Sequence, residues 1–197
     1  MENKQSSLFN SPTTLLTLAN VIFYMYTSIL SGNLMETSQP VSCFLGQYNK
    51  FVLERGYYWQ LFTSMFVHAN IVHLVSNMIF LLIFGLRAEG LFTKKEYLVI
   101  YFGSGLFGNI LSLLLWSPET ISVGASGAIF GIFGACIIYI YQSIIAVVFY
   151  SFLLLMMSSG YGVNIFAHFG GLVIGLALGY FFAKRRYRVV YKVEYRI

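Results

Sequence analysis

Apolar residues run through this chain in blocks of about the length a membrane helix needs, with the polar positions at the heads of the blocks or between them. A spanning helix takes about 20 mainly apolar residues. On that measure the pattern predicts spans at about 13–31, 65–84, 97–116, 126–141, 143–159 and 164–183. Ser11-Pro12 opens the first span as an N-cap followed by a proline at the first helical position. No charged residue occurs between Glu119 and Lys184. One helix over 126–159 would be roughly 50 Å long against a hydrocarbon core of about 30 Å. The chain must therefore turn back, at Gln142-Ser143, the polar break in that stretch, and again at SSGYGVN, 158–164. Six spans place both termini on one side of the membrane.

Composition excludes a soluble enzyme or binding module. Of 197 residues, 58% are hydrophobic and 10% charged, and the mean hydropathy is +0.74. A soluble domain carries about 25% charge. The whole chain, 1–197, is expected to be one membrane domain with a basic tail over 184–197. Net charge is +5, and its distribution describes topology rather than nucleic-acid binding. The tail holds Lys184, Arg185, Arg186, Arg188, Lys192 and Arg196, the loop after the second span holds Arg87, Lys94 and Lys95, and the opposite side holds only Lys50 and Arg55. The positive-inside rule then puts both termini in the cytoplasm and the long first loop, 32–64, outside. Tyr57-Tyr58-Trp59-Gln60 in that loop reads as an aromatic interfacial anchor. The N-terminus has no signal-type pattern. Cys43 falls in a loop and Cys136 in a span, so a disulfide between them is not expected.

The polar residues inside the spans are few and sit at one level. They are His68, His73 and Asn77 in span two, Ser126 in span four and His168 in span six. These spans all run from outside inward, and most of the polar groups lie within their first few turns. Polar side chains at that depth are costly and face the bundle interior. Gly171, Gly175 and Gly179 continue the face of His168, and Gly127, Gly131 and Gly134 form a small stripe below Ser126. If the two stripes pack, His168 approaches Ser126. His73 and Asn77, four apart, share a face.

Two chemistries compete for this cluster. A zinc site would prefer histidines four apart on a helix; His68 and His73 are five apart, about 140° around a helix, so they are expected to diverge, and no span carries a carboxylate to complete the site. No metal and no cofactor is therefore expected. A serine activated by a histidine is the other. The chain contains no aspartate, so a Ser-His-Asp triad is impossible and the unit would be a dyad, oriented by packing and slow to turn over. Ser126 opens its helix, where free amides and the positive dipole end can stabilise an oxyanion. The residues alone also allow helix packing without catalysis, or a small transporter using the same cluster.

Three motifs in order resemble the rhomboid intramembrane serine proteases over nearly the whole length: HANIVHLVSN at 68–77, GASG at 124–127 and AHFGGLVIG at 167–175. GLRAE at 85–89 resembles the family's Gly-x-x-x-Glu after the second helix. The resemblance implies an all-α, six-helix bundle with a cavity opening outward. It implies Ser126 as nucleophile and His168 as general base. His73 and Asn77, with the Ser126 amide, would hold the oxyanion. His68, Gly124, Gly127 and Phe130 would support the site. Two positions depart from the family pattern. Trp59-Gln60 stands where the family has Trp-Arg, and Phe130 where a tyrosine often stacks on the catalytic histidine. The activity implied is cleavage of peptide bonds in or near transmembrane helices of other membrane proteins, in a prokaryotic cell membrane. The partners are then those substrates and the bilayer, not nucleic acid. The alternative within the same fold is an inactive relative that binds membrane clients.

Overall fold

A computed structural model describes residues 10–141, 145, 149–151 and 163–194, with side chains to Arg186. The long helices are α1 (Pro12–Ser31), α5 (Ile71–Glu89), α6 (Lys94–Leu115), α7 (Ser126–Tyr141) and α8 (Ile165–Glu194). Between α1 and α5 lie three short helices and a strand: α2 (Gln39–Leu45), β1 (Gln47–Tyr48), α3 (Asn49–Arg55) and α4 (Gln60–Thr63). Strand β2 (Ile121–Ser122) precedes α7 and pairs antiparallel with β1, Gln47 opposite Ser122. Among the described residues, four helices are long and apolar enough to cross a membrane: α1, α5, α6 and the first 22 residues of α8. Their outer faces expose large apolar side chains, among them Ile22, Ile29, Val72, Ile83 and Leu114. Such surface is intolerable in water and ordinary against lipid.

Helix ends follow from local chemistry. Ser11 caps α1, its Oγ accepting from the Thr14 amide at 3.1 Å, with Pro12 next. Thr93 and Glu96 form a reciprocal capping box on α6. That box starts α6 three residues before the expected span, so Lys94 and Lys95 are helical rather than loop residues. The expected second span began at residue 65, yet α5 begins at Ile71, because the Asn70 side chain caps it by accepting from the His73 amide at 2.8 Å. His68 therefore lies in the loop before the helix. Helix α7 begins at Ser126, where the apolar run opens. The tail expected at 184 is instead a continuation of α8 to Glu194, since arginine and lysine are good helix formers. Most of the expected fifth span, 143–159, and the turns at its ends lie outside the described residues.

The two glycine stripes meet. A methyl at Gly171 would come 2.0 Å from the Gly127 carbonyl oxygen, and one at Gly175 would come 2.0 Å from that of Gly131. A methyl at Gly179 would come 2.5 Å from the Ala135 Cα, while Gly134 makes room for Leu172. Backbone thus packs on backbone along α7 and α8, and no side chain can yield. Gly175→Ala should consequently lower stability by roughly 3 kcal/mol or more; thermal melting of the purified protein in detergent checks this, and an unchanged melting temperature would contradict the packing.

At the far end of the bundle, Gly85 and Glu89 explain the GLRAE motif. The Glu89 carboxylate accepts from Ser11 Oγ at 2.6 Å and from the Thr13 amide at 2.9 Å, so the end of α5 holds the start of α1. Gly85, one turn earlier, leaves room for Thr13, whose hydroxyl donates to the Tyr97 hydroxyl of α6 at 3.1 Å. Arg186 of α8 bonds Glu96 at the start of α6.

The segment between α1 and α5 is held by buried amides rather than by regular packing. Gln60, expected in an interfacial anchor, is fully buried. Its amide donates to the Cys43 and Phe44 carbonyls at 2.7 and 3.0 Å and its oxygen accepts from the Tyr48 amide at 3.0 Å. Gln60 thus serves as a three-way bracket. Tyr57 and Trp59 stack at 4.2 Å beside Phe44. Gln47 and Asn49, also fully buried, tie β1 and α3 to α6 and the following loop through the Asn109 and Ser117 carbonyls. At the exposed edge, the Tyr48 hydroxyl and the Lys50 ammonium hold the Glu119 carboxyl below the usual range.

Candidate active site

Ser126 is the first residue of α7, delivered by a turn that only glycine suits. Gly124 has φ +122°, and a side chain there would also lie 2.9 Å from Cε1 and Nε2 of His73. Its amide donates to the Ser64 carbonyl at 2.9 Å, which anchors the turn to the chain after α4. The first amides of a helix have no acceptor within it. Ser126 thus stands at the positive end of the α7 dipole.

His168 lies in the first turn of α8, 6% exposed. Its amide donates to the Asn164 carbonyl at 3.2 Å. Its Nε2 is 2.8 Å from Ser126 Oγ. The tautomer that accepts the serine hydrogen there carries its own proton on Nδ1. Phe130, one turn beyond Ser126, stacks on the imidazole with centroids 4.4 Å apart and planes at 16°. The phenyl ring supplies this face without a hydroxyl. Gly127 admits the Ala167 carbonyl, which a methyl would meet at 3.2 Å. Close α7–α8 packing is thus what makes the 2.8 Å contact available.

The other expected residues gather on the α5 side. His73 stands against Gly124, beside the serine. Asn77 is 5% exposed, and one of its amide hydrogens goes to the His73 carbonyl at 2.9 Å, a bond within its own helix. Its oxygen is buried and has no hydrogen-bond partner among the described residues. His68 is fully buried, with Nδ1 3.2 Å from the Phe66 carbonyl and its ring 5.2 Å from that of His73. The helical-angle argument that the two rings diverge is thereby corrected. Because His68 precedes the helix, its ring folds back onto His73.

A cavity of about 20 Å³ lies beside Ser126 and Gly124, with Ser64, Asn109, Ser122 and Asn164 among its walls. That is room for about one water with several polar partners. Of these residues, none was marked in the sequence as belonging to the site. Asn164 carried a usable signal, a polar residue immediately before an apolar run, which is an N-cap pattern. Ser64, Asn109 and Ser122 carried none, since their burial is a property of the assembled bundle.

The Rhomboid domain family model matches residues 55–185. Rhomboid-like protease 3 of Toxoplasma gondii is 33% identical over 183 residues, 86% of this chain and 68% of that protein. RHOMBOID-like protein 6, mitochondrial, of Arabidopsis thaliana is 38% identical over 141 residues, 66% of this chain and 46% of that protein. YdcA of Bacillus subtilis is 30% identical over 142 residues, 68% of this chain and 71% of that protein. These relatives come from a parasite, a plant and a bacterium, and they do not single out the prokaryotic membrane expected above. The family match spans α4 to α8 and takes in the Ser126–His168 pair, the His73–Asn77 face and the α7–α8 glycine contact. This chain is a multi-pass membrane protein of the rhomboid family.

Proposed function

We propose that the protein is an intramembrane serine protease that cuts transmembrane protein substrates through a Ser126–His168 dyad. The observation that carries this reading is the 2.8 Å contact between Ser126 Oγ and His168 Nε2 at the start of α7. A hydroxyl is a weak nucleophile until a base takes its proton. His168 removes that proton as Oγ attacks the scissile carbonyl carbon, giving a tetrahedral oxyanion. The C–N bond then breaks, and the imidazolium returns its proton to the departing amine. A water, deprotonated by the same nitrogen, attacks the acyl-serine, releases the new carboxylate and restores Ser126. The cavity beside Ser126 is of a size to hold such a water.

The oxyanion is held by the amide of Ser126, by His73 and by Asn77. His73 has the better support, since its ring adjoins the Gly124 turn. Asn77 offers its second amide hydrogen, the first being committed to the His73 carbonyl. A substrate helix hides its carbonyls in hydrogen bonds, so the substrate must unwind locally, and small or helix-breaking residues near its outer end assist this. In this reading the chain is one domain of six spans with both termini in the cytoplasm. The site lies near the outer face of a prokaryotic cell membrane, below a cavity that opens outward.

Cleavage of a model transmembrane substrate by purified protein in proteoliposomes tests the proposal; binding of the substrate without any cut would contradict it. Asn77→Ala should lower kcat by no more than about 10²–10³-fold, with little change in KM, because the charge exists only in the transition state. The double change with His73→Ala should be less than additive if both donors serve one oxygen. Unchanged kcat with a lower melting temperature would assign Asn77 to holding α5 alone.

A further inference from the structure

We propose that Asn164 is a positioning residue for the dyad, fixing the helix end that carries His168 and the strand that leads to Ser126 in one register. This rests on the protease reading of the same site. Asn164 lies four residues before His168 and immediately before α8. Its side-chain oxygen accepts from the Ala167 amide at 3.0 Å, and its carbonyl accepts from the His168 amide. This is an N-cap, and serine, threonine or aspartate would provide it as well. A cap has no use for the two amide hydrogens.

Those hydrogens go elsewhere. Nδ2 is 2.6 Å from Ser112 Oγ and 2.6 Å from Ser122 Oγ. Ser112 is fully buried in the last turn of α6, and Ser122 is buried in β2, four residues before Ser126. The Ser122 position is fixed in turn by its pairing with Gln47, whose own amide bonds the Asn109 carbonyl of α6. One planar amide therefore joins three elements. Four residues on one side lead to the base, and four on the other lead to the nucleophile. The glycine contact sets the distance between α7 and α8 along their length. The Asn164 amide adds a restraint from α6 and β2 at the end where the hydroxyl and imidazole must meet. A misplacement of about 1 Å at a reacting pair can cost on the order of 10²-fold in rate.

The test is the rate at which a fluorophosphonate labels the purified protein, read beside kcat and KM for a model transmembrane substrate. Labelling requires an activated serine and no hydrolytic water, so it separates alignment of the dyad from supply of water from the cavity. Wild-type protein should label and Ser126→Ala should not. If the wild type does not label, the protease reading falls and this inference with it. Asn164→Ala should slow labelling and lower kcat by the same factor, roughly 10- to 100-fold, with KM unchanged. Asn164→Asp keeps the cap and offers acceptors to both serine hydroxyls, which rotate to donate, so labelling should return to within about threefold of wild type. Ser122→Ala leaves the cap intact and removes one cross-link; it should slow labelling severalfold. Labelling at the wild-type rate in Ser122→Ala, or in folded Asn164→Ala, would overturn the proposal. So would an Asp variant as slow as the Ala variant.

Discussion

Replacing Ser126 with alanine should reduce cleavage of a transmembrane substrate to background, a loss on the order of 10⁴–10⁶-fold, because the covalent route disappears with Oγ. The bundle should stay folded. Only one oxygen is removed, from a partly exposed side chain at the first position of α7, and the α7–α8 glycine contact does not involve it. The cost is the lost hydrogen bond to His168, about 1 kcal/mol. Melting temperature should therefore fall by only a few degrees and substrate binding should match the wild type while product formation vanishes. Near wild-type cleavage by purified Ser126→Ala protein would place the nucleophile elsewhere.

His168→Ala should be nearly as damaging, again on the order of 10⁴-fold or more. Two features distinguish the expected result from simple loss of packing. First, the double variant with Ser126→Ala should be no slower than either single variant, since residues that act as a unit are not additive. Second, chelators should leave wild-type activity unchanged. Activity lost on chelation and restored by zinc would move the chemistry to a metal centred on His68 and His73, whose rings are in contact. His168→Ala also leaves the Phe130 ring without its stacking partner, so part of any fall in melting temperature belongs to that pair rather than to catalysis.

How far the sequence reached depends on which forces set each feature. The start of α7 was legible because a glycine-rich head followed by an unbroken apolar run leaves a single way to begin a helix there. The approach of Ser126 to His168 was legible from two small-residue stripes, which have little to do but pack on each other. The start of α5 was misplaced by six residues because Met65, Phe66 and Val67 are apolar without being helical. Hydropathy measures the environment of a segment, not its backbone, and the Asn70 cap was the better signal. The end of α8 was placed too early for the complementary reason: charge ends an apolar run without ending a helix. The segment between α1 and α5 stayed opaque. Gln47, Asn49 and Gln60 are buried amides whose partners lie as far as 68 residues away, and nothing local distinguishes them from surface residues. The same holds for the Ser112 and Ser122 partners of Asn164. His68 and His73 were read as diverging because both were placed on one helix, and the correction follows from the cap alone.

The central claim, that His168 makes Ser126 a nucleophile, is tested most directly by mass analysis of peptides from fluorophosphonate-treated protein. The account predicts one adduct, on Ser126, in the wild type, and none there in His168→Ala under the same conditions. An unlabelled Ser126 in folded, cleaving protein would contradict it, as would an adduct that forms on Ser126 equally fast without His168.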